Sequence, residues 1–120
     1  MAVLFECKTF SDERGCLTVV DKELPFPVAR VFYIYDIKGR RGEHRHLSCR
    51  HVLISVTGFC RVVVENPGKK EIYQLDTPEK CLLLEPEDWH AMDQFSDNCV
   101  LLALASEPYS PDETIREKLT

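Results

Sequence analysis

His51-Val-Leu-Ile-Ser-Val-Thr57, Gly58 and Phe59-Cys-Arg-Val-Val-Val-Glu65 form one continuous stretch that decides the fold. β-Branched residues dominate both runs, and such residues favour extended strands. Gly58 stands between the runs, and glycine adopts the positive φ of a tight turn without steric cost. The stretch therefore predicts two strands joined as a β-hairpin.

The same pattern continues on both sides of this stretch. Asn66-Pro67-Gly68-Lys69 carries proline and glycine where a turn needs them, and it leads into another strand at Glu71-Ile-Tyr-Gln-Leu75. Further short runs of strand-forming residues lie at 2–10, 16–20, 28–35, 81–85, 89–92 and 98–105. Strands separated by turns every 8 to 12 residues or so are typical of a sandwich or barrel.

The C-terminal residues have a different pattern. Ser110 is a candidate N-cap and Pro111 suits the first helical position, with acidic residues next and basic residues near Leu119. We therefore expect a short C-terminal helix. The chain has 120 residues without a linker or repeat, so we expect a single domain over 1–120.

Composition narrows the class of partner. The net charge is −5 and no basic stripe is present, which argues against nucleic-acid binding. No apolar run approaches the ~20 residues of a membrane span, and Glu6 and Lys8 interrupt any signal-peptide core. The six cysteines form no CxxC pair, so we expect reduced thiols in a cytoplasmic protein.

Histidines are the candidate functional residues. His44 and His46 are two positions apart, so on a strand both imidazoles point to one face. His90 lies on a later segment that can close onto this pair across a barrel. His51 has the opposite parity if the extended run continues unbroken, so we interpret it either as a residue that supports the site residues from behind or as structural.

Three such imidazoles suit two chemistries. They are good ligands for divalent transition metals, and they also exchange protons near neutral pH. The HxH pair resembles that of metal-binding cupin barrels, which usually add a carboxylate four residues after the second histidine. That position is Arg50 here, which argues against a metal but leaves both chemistries open.

Other side chains are candidates for binding. Guanidinium groups match phosphate oxygens, and four arginines are considered for this role: Arg14, Arg30, Arg40 and Arg41. Tyr33 is either a cavity-lining hydrogen-bond donor or a core residue. Trp89 either stacks on a base or sugar, or packs in the core.

Several motifs in order carry a family resemblance: Asp12-Glu13-Arg14-Gly15, Arg30-Val-Phe-Tyr-Ile-Tyr35, Arg41-Gly-Glu-His-Arg-His46, Pro86-Glu-Asp-Trp-His90 and Asp97-Asn-Cys-Val-Leu-Leu102. In these the chain resembles the dTDP-sugar 3,4-ketoisomerases, which are small cupin-type enzymes of deoxysugar biosynthesis also called WxcM-like proteins. The resemblance implies an all-β, cupin-type double-stranded β-helix, or jelly-roll barrel. It also implies a homodimer, a dTDP-linked 4-keto-6-deoxyhexose as substrate, and no metal or other cofactor.

The family's site residues are carried over by motif. One of His44 and His46 would be the catalytic base, and Tyr33 or Arg41 would stabilise an enediolate. The family's Trp-His pair falls on Trp89 and His90, and these two, with Arg14 and Arg30 from the arginines considered above, would bind the substrate or its nucleotide. Arg45 and Leu47 depart from the family pattern, which has alanine and lysine there, so the identity of the sugar stays open.

The implied reaction moves a carbonyl between C4 and C3 of the hexose through an enediol. Two alternatives remain beside it. One is a metal-dependent cupin enzyme, and the other is a sugar-nucleotide-binding barrel without turnover.

Overall fold

A computed structural model describes all residues from 1 to 120 and contains strands and turns only. The strands are β1 (Val3–Glu6), β2 (Lys8–Asp12), β3 (Gly15–Val19), β4 (Arg30–Ile34), β5 (Arg41–His46), β6 (His51–Thr57), β7 (Cys60–Asn66), β8 (Lys69–Leu75), β9 (Lys80–Leu84), β10 (Trp89–Asp93), β11 (Val100–Ala105) and β12 (Thr114–Ile115). The prediction of an all-β protein is confirmed. No helix is long and apolar enough to span a membrane.

Two five-stranded antiparallel sheets form the body of the molecule. The first has the order β1-β9-β6-β11-β4, and the second has the order β12-β5-β10-β7-β8. Alternate residues of the central strands point to one side of a sheet, and they form a core of buried residues that includes Leu53, Val62, Val64, Leu75, Leu82, Leu84 and Leu101. A smaller cluster, which includes Phe26, Val52, Ile54 and Leu83, forms a second apolar contact region.

The predicted hairpin across Gly58 is wrong in its pairing, although both of its strands exist. β6 pairs with β9 and β11, whereas β7 pairs with β10 and β8. Both strands are buried along most of their length, so each needs a neighbour on either side. Gly58, at φ +71°, therefore carries the chain from one sheet to the other. The next turn forms the hairpin, which joins β7 to β8 with Asn66 opposite Lys69.

β2 and β3 form a separate two-stranded hairpin, which we call the arm. The molecule measures 50 × 30 × 27 Å along its principal axes. The apolar side chains of Phe10, Leu17 and Val19 are exposed on the arm. Soluble proteins rarely leave such residues together without a partner surface.

The predicted C-terminal helix is wrong. Residues 114–115 instead form β12, in which Thr114 pairs with His46 and Ile115 with Arg45. The next two backbone carbonyls also accept hydrogen bonds from distant side chains. Trp89 Nε1 donates to the oxygen of Arg116, and Arg45 Nε donates to that of Glu117. Tertiary hydrogen bonds have replaced the local ones that a short helix would make.

Candidate active site

The two sheets enclose a cavity of about 360 Å³. Its lining is Arg30, Phe32, Ile34, Arg41, Gly42, His44, His46, His51, Leu53, His90, Met92, Tyr109 and Thr114. All four histidines of the chain are present, and no aspartate or glutamate lines the cavity. The fixed charges at this cavity are therefore positive.

His44, His46 and His90 converge as the sequence predicts. His44 on β5 lies opposite His90 on β10, and their ring centroids are 5.0 Å apart. The ring of His46 is 5.0 Å from that of His44 and 5.6 Å from that of His90. His90 donates from Nδ1 to the backbone oxygen of Asp88 at 3.0 Å, because a carbonyl can only accept. This bond leaves Nε2 of His90 as the acceptor.

A β-bulge at Glu43 determines which side chains of β5 reach the cavity. The pairing with β10 passes from His44 opposite His90 to Gly42 opposite Ala91, so Glu43 is an extra residue. Gly42 and Glu43 have φ values of +84° and +64°. Strict alternation would turn Arg41 away from the side of His44, but the bulge brings both to the cavity.

His51 lies on the cavity side, next to His46, and not on the opposite face that its parity predicts. Its ring centroid lies 4.2 Å from that of His46, and the side chain is only 4% exposed. The extended run ends after His46, and β6 begins at His51 in the opposite sheet, so parity counted through 47–50 does not apply. Alternation within β6 could have predicted the correct face, because His51 points to the same side as Leu53, two residues on, which is a core residue.

All four imidazoles favour the neutral form. Burial lowers the pKa of His46 to about 4, that of His51 to about 2 and that of His90 to about 3. Burial also lowers the pKa of His44, with a further contribution from the charge of Arg116. At neutral pH each ring therefore has an unprotonated nitrogen that can accept a proton or bind a metal.

Arg30 and Arg41 supply the positive charge. Arg14, Arg40, Arg50 and Arg61 form ion pairs with carboxylates, whereas Arg30 and Arg41 form none. The Arg30 guanidinium lies 5.2 Å from the centroid of Phe32 and 5.8 Å from that of Tyr109. Its Nε is buried without a hydrogen-bond partner. An arginine held in this way suits an anionic ligand.

Three of the predicted site residues lie elsewhere in this chain. Tyr33 points to the outer side of β4 and is 62% exposed, because Arg30, Phe32 and Ile34 occupy the cavity side. Trp89 is buried and covered by Lys118, whose Nζ is 4.4 Å from the ring centroid, so the ring is not available to a base. Arg14 is at the tip of the arm, paired with Asp12.

The C-terminal segment, residues 106–120, contributes two cavity residues that sequence reasoning missed. Tyr109 and Thr114 line the cavity. The segment is anchored by Glu113, whose carboxylate accepts from the backbone N–H groups of Ser48 and Cys49. Neither residue belongs to a recognisable motif, and only the fold brings them to the histidines.

The histidines also form a potential metal-binding group. One ligand nitrogen from each of His44, His46 and His90 lies within 4.8 Å of the others. Arg50 is not among them, since it pairs with Glu85 at 2.8 Å and does not line the cavity. The donor set therefore fits a divalent transition metal as well as proton transfer.

Relatives share this fold and much of the sequence. A curated relative, TDP-4-oxo-6-deoxy-alpha-D-glucose-3,4-oxoisomerase of Aneurinibacillus thermoaerophilus, is 38% identical over 114 residues, covering 92% of this chain and 82% of the relative. The structure of QdtA, a sugar 3,4-ketoisomerase of Thermoanaerobacterium thermosaccharolyticum, in complex with TDP matches with a TM-score of 0.93 at 33% identity, covering 97% of this chain and 88% of that one. WlaRB, a TDP-quinovose 3,4-ketoisomerase of Campylobacter jejuni, matches with a TM-score of 0.92 at 32% identity, covering 97% and 92%.

The family model described as "FdtA: WxcM-like, C-terminal" matches residues 2–120. This match spans both sheets, the arm and the C-terminal segment, and the predicted resemblance is confirmed. The chain belongs to the WxcM-like, FdtA family.

Proposed function

We propose that this protein is a 3,4-ketoisomerase that moves the carbonyl of a dTDP-linked 4-keto-6-deoxyhexose between C4 and C3. The observation that carries the proposal is the cavity itself, in which neutral imidazoles and two unpaired arginines meet without a carboxylate. A reaction that removes a carbon-bound proton and forms an enediolate needs a neutral base and a fixed positive charge. The activities named for the relatives above support the same reaction.

His44 and His46 are the candidate bases. One of them takes the proton from C3, which the neighbouring C4 ketone acidifies, and the electron pair of that bond forms the enediolate. Arg41 stabilises the developing negative charge, because it lines the same cavity. The C3 hydroxyl proton passes to the C4 oxygen, and return of a proton to C4 then leaves the ketone at C3 and a hydroxyl at C4, so no redox change of the protein is required. Tyr33 does not stabilise the enediolate within one protomer, because its side chain lies outside the cavity.

Arg30 is the candidate for binding the diphosphate. It has no carboxylate partner, and Phe32 and Tyr109 hold its guanidinium at the cavity. His90 completes the polar lining, whereas Trp89 acts by fixing the C-terminal segment. The solved relative QdtA binds TDP, and a variant of it with histidine replaced by asparagine binds TDP-4-keto-6-deoxyglucose.

We further propose a cytoplasmic homodimer. The exposed apolar side chains of the arm support pairing with a second copy. Arg14 lies on the arm, so in this proposal it meets substrate only from a neighbouring protomer. The six cysteines are free thiols, which suits a reducing compartment.

Proton NMR with dTDP-4-keto-6-deoxyglucose in D₂O tests the reaction. The expected result is a 3-keto product with deuterium at C4, whose configuration shows the face of reprotonation. His44→Ala and His46→Ala should each lower kcat by roughly 10²–10⁴-fold. Val56→Ala is the control, because Val56 is exposed on β6 and does not line the cavity. Substrate that returns unlabelled while TDP still binds would instead indicate a binding module or an enzyme for a different sugar.

A metal-dependent enzyme is the second candidate, because the His44, His46 and His90 nitrogens are close enough to share an ion. Metal analysis of protein purified without added metal distinguishes the two. Stoichiometric iron, nickel, manganese or zinc that is lost in the His44→Ala, His90→Ala double variant would favour the metal enzyme. A metal-free protein with full isomerase activity would exclude it.

A further inference from the structure

His51 makes more polar and ring contacts than a core residue needs. The centroid of its ring lies 4.2 Å from that of His46, with the two planes tilted by 32°, and 6.1 Å from that of Phe32 in an edge-to-face arrangement. Its Nε2 is 3.4 Å from Nη2 of Arg30 and 3.8 Å from Sγ of Cys49. One imidazole therefore contacts both a candidate base and the arginine assigned to the diphosphate.

These contacts define the tautomer of His51. A guanidinium has donors and no acceptor, so Nε2 of His51 must accept from Arg30, and the ring proton must be on Nδ1. Protonation of Nε2 would abolish this bond and place a second cation beside Arg30. Burial, with smaller contributions from His46, His90 and Arg30, opposes that protonation and lowers the pKa of His51.

The cost of this arrangement argues against a purely structural role. Nδ1 of His51 is buried without a hydrogen-bond partner, and so is Nδ1 of His46. Buried polar groups without partners destabilise a fold, and an aliphatic side chain at position 51 would avoid that cost. The presence of an imidazole at position 51 is explained if the molecule uses both its hydrogen-bond acceptor and its flat ring.

We propose that His51 is a positioning residue, whose ring sets the orientation of His46 while its Nε2 holds the guanidinium of Arg30 at the cavity. This inference rests on the proposed function for its effect on catalysis. Its effect on nucleotide binding is independent of turnover.

Two substitutions separate the two contacts. His51→Phe keeps a flat ring against His46 but removes the acceptor for Arg30. His51→Gln keeps a neutral acceptor but removes the ring. Ile54→Val is the control, since Ile54 is a buried residue of the same strand that packs in the other apolar cluster.

The two variants should have complementary kinetics. A lost hydrogen bond to a charged group corresponds to about a tenfold change, so His51→Phe should raise KM and the Kd for TDP about tenfold with kcat within about twofold. His51→Gln should lower kcat about tenfold, with the Kd for TDP within about twofold of wild type. Ile54→Val should leave all three constants near the wild-type values.

Two kinetic results would overturn the proposal. The first is that both variants retain wild-type kcat, KM and Kd. The second is that both lose activity only in proportion to the unfolded fraction measured by thermal melting. If the wild type shows no isomerisation, the proposed reaction has failed, and TDP affinity still tests the contact with Arg30. Nitrogen-15 NMR then tests the tautomer, and a His51 proton on Nε2 would contradict it.

Discussion

At the scale of single residues, Gly42 controls how closely β5 approaches β10. A Cβ at this position would lie 2.9 Å from the backbone oxygen of His90 and 3.1 Å from Sδ of Met92. The backbone oxygen cannot move without shifting β10, which carries His90. Gly42 therefore keeps the histidines of the two strands in register.

The substitution Gly42→Ala should lower the free energy of unfolding by about 1–3 kcal/mol, because it combines a positive φ with a steric clash. It should also lower kcat, since it displaces His44 relative to His90. Urea denaturation and the isomerase assay measure the two effects. Gly39→Ala is the control, as a Cβ there meets nothing within 4 Å. Equal stability of the two variants would contradict this account of Gly42.

Residue-level prediction from the sequence succeeded where alternation is unbroken. His44 and His46 share a face because they are two apart on one strand. Tyr33 was misplaced because alternation on β4 does not say which of its two faces points to the cavity. Tyr33 and Phe32 lie on opposite faces, and either could have been the inner one. The face of His51 was mispredicted because the chain turns between β5 and β6, and alternation cannot be counted across a turn.

At the scale of elements, the C-terminal segment forms one wall of the cavity. Glu113 anchors it to the turn before β6, and β12 adds the segment to the edge of β5. Lys118 reaches Glu65 on β7 at 3.0 Å. These contacts place Tyr109 and Thr114 beside the histidines.

Replacement of Glu113 by alanine should loosen this wall. The variant leaves the N–H groups of Ser48 and Cys49 without their carboxylate acceptor, at a cost of about 1–3 kcal/mol. We expect a lower melting temperature and a higher KM. Glu117→Ala is the matched control, because Arg45 contacts the backbone oxygen of Glu117 and not its side chain. A Glu113→Ala protein with unchanged KM and stability would refute the anchoring role.

Strand existence was predictable and strand partners were not. The runs around Gly58 have strong β propensity, but two five-stranded sheets offer several neighbours for each strand. The signals for a helix at Ser110 and Pro111 were also real, yet they are weak for so short a segment. Pairing with β5 and hydrogen bonds from Trp89 and Arg45 outweighed them.

At the scale of the whole molecule, the buried imidazoles link stability to pH. The folded pKa values of His46, His51 and His90 are about 4, 2 and 3, against about 6.5 in an unfolded chain. The unfolded state therefore binds more protons than the folded state below pH 6.5 or so, and the folded state is favoured less as the pH falls.

The free energy of unfolding should fall between about pH 6.5 and 5, by up to about 1.4 kcal/mol per pH unit for each histidine. The carboxyl groups with lowered pKa values, such as Asp93, act mainly at lower pH. Urea denaturation at several pH values measures the slope. His51→Phe should reduce the slope, because one titrating group is removed. A stability that stays constant or rises across this range would contradict the assignment of neutral imidazoles.

The arm makes a prediction about assembly. Phe10 and Leu17 are more than half exposed in the single chain, so burial against a second copy would stabilise a dimer. Leu17→Asp should shift sedimentation velocity profiles from dimer towards monomer without unfolding the two sheets. Ser11→Asp, at an exposed position on the other face of the arm, is the control because it changes the charge by the same amount. A wild-type protein that sediments as a monomer at all concentrations would contradict the dimer.

The bulge at Glu43 has a consequence for how the cavity can change in evolution. Deletion of Glu43 would leave Gly42 directly before His44, so Arg41 would then lie two residues from His44 and would keep its place at the cavity by ordinary alternation. An insertion or deletion between His44 and His46 would instead turn one of the two imidazoles to the other face of β5. The lining therefore tolerates a change of chain length at position 43, whereas the spacing of the two histidines does not.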